Sequence, residues 1–318
     1  MSGQDPNPAA ESPSPRRFLP WLLVLFAGSG FSALIYEIVW LQLLQLSLGS
    51  TAISLAVLLG SFMGGMCLGS IALPRMISPR RHPMRVYAVM ELGIGILGIA
   101  LLFGLPHVNR LYAAVCLLPA TLLMGASLPA VARWVETTPR GVSWLGFFYG
   151  GNIAGAVFGC LAAGFYLLRV HDMATATYTA AAINAAVAGL SFGLAAVSPY
   201  RPPAGDAAQD GAPRAPGSWP VYVAIALSGL CALGAEVIWT RLLSLMLGAT
   251  VYTFSIILAV FLAGLGIGGG VGAWLARSVR RPRMALGGCQ LLLTVALAWA
   301  AHMLARSLPY WSIQAPRS

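Results

Sequence analysis

Three glutamates interrupt runs of otherwise apolar residues: Glu37, Glu91 and Glu236. An acid at bilayer depth costs about 2.5–3.5 kcal/mol on insertion scales, so such a residue is a functional candidate, most simply one that binds a cation or a proton. Glu37 and Glu236 are each followed three residues later by a tryptophan, Trp40 and Trp239, whose ring faces attract cations. Together with Asn152 and Arg241 they make up the candidate substrate-binding set: Glu37, Trp40, Asn152, Glu236, Trp239 and Arg241. A structural reading stands beside it, in which Glu37 and Glu236 brace a helix at the membrane interface and Arg241 pairs locally. Glu91 reads as structural, and the amides Asn152 and Asn184 as interhelical hydrogen-bonding groups.

No residue set suggests catalysis or a cofactor. The four histidines (His82, His107, His171, His302) are scattered, so no metal site is expected. The five cysteines (Cys67, Cys116, Cys160, Cys231, Cys289) lie inside apolar segments without a C-x-x-C pair. They read as reduced packing residues. GIGGGVG at 266–272 resembles a nucleotide loop, but it lies within an apolar span with no strand before it, and that reading is rejected.

The elements that carry these residues follow from composition. Of 318 residues, 58% are apolar and 9% charged, against about 45–50% and about 25% in soluble domains. The mean hydropathy is +0.79. Such a chain cannot cover a globular surface with polar groups, which excludes an ordinary cytosolic enzyme. Windows long enough to cross a bilayer fall near 18–36, 51–73, 86–105, 111–132, 142–168, 173–197, 220–236, 251–275 and 285–305. The expected fold is therefore an all-α polytopic membrane protein of about nine transmembrane helices. Residues 1–17 read as a disordered cytoplasmic tail, 18–197 as a six-helix membrane repeat, 198–219 as a cytoplasmic Pro/Gly-rich linker, and 220–318 as a partial second repeat of three helices.

The net charge of +10 comes entirely from arginine, with no lysine in the chain. The arginines crowd the loops on one side of the spans, which the positive-inside rule explains better than nucleic-acid binding does. The expected location is a bacterial inner membrane, with the N-terminus in the cytoplasm. The lipid bilayer is the expected partner, and nucleic acid is not.

The chain repeats itself. Ser29–Gly69 aligns without a gap on Ser228–Gly268 at an offset of 199 residues, pairing Glu37 with Glu236, Trp40 with Trp239 and Gly49 with Gly248. Six spans separate the copies, so both point the same way. Parallel six-helix halves are the arrangement of major-facilitator-type transporters. The second half holds three spans, and nothing in it corresponds to 111–197. The expectation is a fragment, or a subunit whose missing helices come from another chain.

Within the repeat, 18–48 would be about 46 Å long as one helix, so a break is expected at Gly28–Gly30, or else an interfacial course after Tyr36. Glu37, Gln42 and Gln45 share one arc of a helical projection, as do Glu236, Thr240, Arg241 and Ser244 in the second copy. Glycines at four-residue spacing (Gly65/Gly69, Gly151/Gly155/Gly159, Gly264/Gly268) are expected to pack helices closely. Pro129 is expected to kink the fourth span.

ALIYEIVWLQLLQLSLGST, FMGGMCLGS, LLPATLLMGASLPAVAR and FFYGGNIAGAVFGCLAAGFYLL resemble blocks of the membrane region of fused major-facilitator/spermidine-synthase-like bacterial proteins. The resemblance covers most of 18–200 and recurs at 220–285. In that family a cytosolic domain transferring an aminopropyl group commonly follows. This chain has no segment matching it, so that activity is carried onto no residue. The expected function is a carrier-like module for a cationic small molecule such as a polyamine. The alternatives are a non-transporting anchor or scaffold subunit, and the membrane part of a synthase-like protein. A further membrane subunit or a synthase-like domain would be the partner that completes the second half.

Overall fold

The computed structural model describes residues 18–49, 51–78, 80–135, 141–198, 200, 219–248 and 250–306, so the expected tail at 1–17 and nearly all of the linker lie outside the described residues. Every regular element among them is helical. They are α1 (Leu19–Leu48), α2 (Thr51–Met76), α3 (Pro83–Gly104), α4 (Arg110–Val135), α5 (Gly141–Ala162), α6 (Met173–Val197), α7 (Trp219–Leu247), α8 (Val251–Ser278) and α9 (Pro282–Arg306). A π-helical turn at Ala163–Leu167 and a last turn at Leu168–Val170 prolong α5. Nine helices among the described residues are long and apolar enough to cross a membrane. In hydrocarbon the backbone must satisfy its own hydrogen bonds, which a helix does within one segment. The chain is a multi-pass integral membrane protein.

Its ends are chosen residue by residue. Asp172 caps α6, Oδ1 accepting the Thr175 N–H at 2.7 Å. His82 caps α3 through Nδ1, which accepts the Met84 N–H at 3.2 Å, and its Nε2 reaches the Ser198 carbonyl at 2.9 Å. The neutral tautomer with hydrogen on Nε2 satisfies both contacts, tying the start of α3 to the end of α6. Gly49 and Gly248, equivalent in the repeat, end α1 and α7 at φ 65° and 90°. That left-handed region is open to glycine without a Cβ penalty.

The expected break in α1 does not occur: it is one helix of 30 residues. Gly28 and Gly30 serve close approach instead. A Cβ at Gly28 would meet Val187 of α6, and one at Gly30 would meet Asn152 of α5. The stretch after Tyr36 continues the same helix. From Leu34 to Leu44 every residue except Gln42 is buried, so its length is accommodated among helices rather than against lipid. A helix apolar on all sides is one that other helices enclose.

The chain divides into two compact units. The first comprises Met1–Ala212 with Leu233–Gly269, the second Pro213–Ala232 with Gly270–Ser318. In the first, α1 packs on α5 and α6, α2 on α4, and α3 on α4 and α6. Gly151, Gly155 and Gly159 of α5 lie against Leu23, Ala27 and Phe31 of α1, one contact per turn. Gly65 and Gly69 of α2 meet Thr121 and Leu122 of α4, while Gly125 of α4 meets Met66. Thr121 Oγ1 also donates to the Ser61 carbonyl at 3.2 Å. Phe26 stacks between Tyr87 and Phe148, with centroids 5.6 and 5.7 Å away. By contrast, Gly264 and Gly268 of α8 face open space. α4 runs helically through Pro119 and Pro129. In the second unit, Gln290 Nε2 of α9 donates to Ser228 Oγ of α7 at 3.2 Å.

Candidate functional site

α7 has an inverted surface. Its buried residues are Glu236, Thr240 and Ser244, one per turn along one face, while Ile238, Leu242 and Leu245 are exposed. Water would favour the opposite arrangement; hydrocarbon favours this one, because only protein can solvate the polar stripe. The sequence placed Arg241 on the same arc. In the structure it is exposed and forms no ion pair with Glu236 among the described residues. Trp239 is half-buried.

On α1, Glu37 is 2% exposed and Glu236 on α7 is 3% exposed. Their carboxyl groups lie close enough to act on one another electrostatically. Glu37 also acts on the thiol of Cys160 on α5, which donates to the Ser255 carbonyl of α8 at 3.2 Å. Trp40 and Tyr36 are fully buried and stack at 5.4 Å, with Phe62 of α2 at 6.3 Å from Trp40. Here α5 loosens into its π turn, and the Ser255 hydroxyl rests against Gly164 within it. Such turns recur at functional sites.

Among the described residues, several buried polar atoms of α1, α2, α7 and α8 have no hydrogen-bond partner: Glu37 Oε1, Tyr36 Oη, Trp40 Nε1, Ser54 Oγ, Thr240 Oγ1 and Ser255 Oγ. Buried polar groups are nearly always paired, so an orphan such as Glu37 Oε1 marks a place where something else can bind. Among the described residues, these groups and Glu236 offer two carboxylates, four hydroxyls and an indole N–H, and no basic side chain. They can hold positive charge.

Asn152 sits elsewhere on the α1–α5 seam, Nδ2 donating to the Phe26 carbonyl at 3.1 Å. Glu91 of α3 is fully buried and well provided for. Ser29 Oγ donates to one of its oxygens and Asn184 Nδ2 to the other, each at 2.6 Å. Its counterpart at the 199-residue offset is Gln290, and Ser29 corresponds to Ser228. The Ser29–Glu91 and Ser228–Gln290 bonds therefore join equivalent positions, both 62 residues apart.

Residue reasoning missed Tyr36, Ser54, Cys160 and Ser255. Each is unremarkable in an apolar span, and only the packing of α1, α2, α5 and α8 reveals its place. A hydroxyl at a repeat position was the available signal: Ser54 corresponds to Thr253, and both are buried. Comparison with protein families, with curated proteins and with solved structures finds no match to this chain.

Proposed function

We propose that this protein is a carrier-like module of the bacterial inner membrane, N-terminus in the cytoplasm, that binds a cationic small molecule at Glu37 and Glu236. A polyamine is the candidate ligand. The observation that carries the reading is the pair itself: two buried acids at equivalent repeat positions, electrostatically coupled and without a basic partner among the described residues. Two carboxylates match the two charges of a diamine, and the rings of Trp40 and Trp239 add cation–π faces. The block resemblance to the membrane region of major-facilitator/spermidine-synthase-like proteins agrees with a polyamine context.

The test is uptake of labelled putrescine by proteoliposomes containing the full chain. Glu37→Gln and Glu236→Gln are each expected to lower uptake at least about tenfold, since removing one side of a buried charge pair costs about 2–5 kcal/mol. Unchanged uptake by either variant, with both still monodisperse, refutes the proposal.

A second reading, an anchor or scaffold subunit, is favoured by one observation. Gly264 and Gly268 face open space, whereas their equivalents Gly65 and Gly69 pack against α4. Copurification of a stoichiometric membrane partner, with no amine uptake, would support it over the carrier.

A further inference from the structure

Three helix ends meet on one side of the first unit. α2 ends at Met76, α3 begins at Pro83, and α4, which packs on both, ends at Val135. Arg133, in the last turn of α4, ties them together: its Nη1 donates to the Ile77 carbonyl just beyond α2 at 3.1 Å. Beside that contact lies a small apolar recess lined by Ile77, Pro83, Val86, Ala126 and Ala130, with the Arg133 side chain in its wall.

The rim of this place is strongly basic. Arg75, Arg80, Arg81 and Arg85 are all exposed, and the stretch 75–85 that carries them contains no acid. Arg75 folds back on the Ile71 carbonyl of its own helix. Among the described residues none of these four forms an ion pair with a carboxylate. Large apolar side chains stand exposed nearby, Ile71 and Met76 on α2 and Val89 on α3. Orientation in the bilayer asks only for charge on this side. It does not ask that arginines from three helix ends converge beside a lipid-facing surface. A guanidinium presents paired N–H donors that match a phosphate, and basic pockets between helices on the cytoplasmic side hold anionic head groups.

The repeat supplies a comparison within one chain. At the 199-residue offset Arg81 corresponds to Arg280, and the turn between α8 and α9 carries Arg280, Arg281 and Arg283. That turn has the charge, but no described residue stands where Arg133 would recur. We propose that the α2–α3 turn, with Arg133 of α4, binds the phosphate head group of an anionic phospholipid, whose acyl chains lie along the exposed apolar faces of α2 and α3. The inference goes beyond amine binding and takes from the proposed function only its orientation, with this turn in the cytoplasm. A lipid held there would fasten the ends of three helices to one leaflet.

The experiment is native mass spectrometry of the full chain in detergent, titrated with dioleoyl phosphatidylglycerol or with dioleoyl phosphatidylcholine. The two share their acyl chains and differ in net charge. The unaltered chain is expected to hold one phosphatidylglycerol at least about tenfold more tightly than phosphatidylcholine. Arg80→Gln, Arg81→Gln and Arg85→Gln combined are expected to abolish that preference. Lys at the same three positions keeps the charge, and with it the orientation, but loses the planar fork, and should weaken the preference severalfold. Arg280→Gln with Arg281→Gln is expected to leave it unchanged. Equal retention of both lipids by the unaltered chain overturns the site. An equal loss of preference on altering the α8–α9 turn also overturns it, since the attraction would then be diffuse. Inorganic phosphate that removes the bound lipid, where chloride at equal ionic strength does not, assigns the place to a free anion and overturns the lipid site. Putrescine uptake is measured separately, and its failure leaves this site untouched.

Discussion

At the scale of single residues, the two kinds of buried acid are handled differently. Glu91 is satisfied on both oxygens by donors from α1 and α6, whereas Glu37 keeps one oxygen unpartnered. The repeat shows what the Glu91 position tolerates. In the second half an amide stands there and donates to the serine, while in the first half the serine donates to the carboxylate. A hydroxyl can serve in either direction. Glu91→Gln is therefore expected to keep the Ser29 bond with its direction reversed. Glu91→Leu would strand Ser29 and Asn184, at about 1–3 kcal/mol for each orphaned donor. Thermal unfolding of the full chain in detergent should rank the unaltered chain above Glu91→Gln, and both well above Glu91→Leu. A Leu variant as stable as the Gln variant would show that the network contributes nothing. Glu37, Glu236 and their repeat relation were legible in the sequence. The partners of Glu91 were not, because Ser29 and Asn184 lie 62 and 93 residues away and only helix packing brings them near.

Among the elements, nine apolar windows correspond to nine helices, since span length and hydropathy are local properties. What sequence misjudged was the use of particular residues within them. Gly28 and Gly30 suggested a weak point in α1, yet they admit neighbours, and whether a glycine bends a helix or seats another depends on what packs there. α7 reads as a span ending near Glu236 but continues to Leu247, because its polar residues face protein. The glycine seats make a paired prediction. Gly69→Leu drives a side chain into the Leu122 backbone of α4 and should cost about 1–3 kcal/mol by overpacking. Gly268→Leu, its equivalent over open space, should stay within about 0.5 kcal/mol. Equal unfolding midpoints for the two variants would contradict the packing described. The α6 cap supplies a pH test. The Thr175 backbone N–H holds the Asp172 carboxyl below the usual carboxylate range, aided by the Thr175 side chain and the nearby His171 charge. A carboxyl lowered in the folded state adds stability above its unfolded pKa, and that stability is lost as pH falls through the folded one. Asp172→Asn, which still caps, should flatten the acid limb of the stability profile; an unchanged limb would acquit Asp172.

For the molecule as a whole, the repeat is written in geometry as well as in letters. The left-handed glycines Gly49 and Gly248 and the two serine-centred bonds recur at equivalent places. The halves nevertheless differ in charge at 91/290 and in what covers α2 and α8. The inverted face of α7 also bears on biogenesis. A ribosome delivers the first six helices to the membrane before α7 emerges. When α7 enters, Glu236 meets hydrocarbon, and a lone acid there carries a penalty of about 2.5–3.5 kcal/mol. Docking of Glu236, Thr240 and Ser244 against already folded helices relieves it, while Ile238 and Leu242 stay with lipid. The order of synthesis thus turns a stripe that burdens an isolated helix into the adhesive by which α7 finds its place.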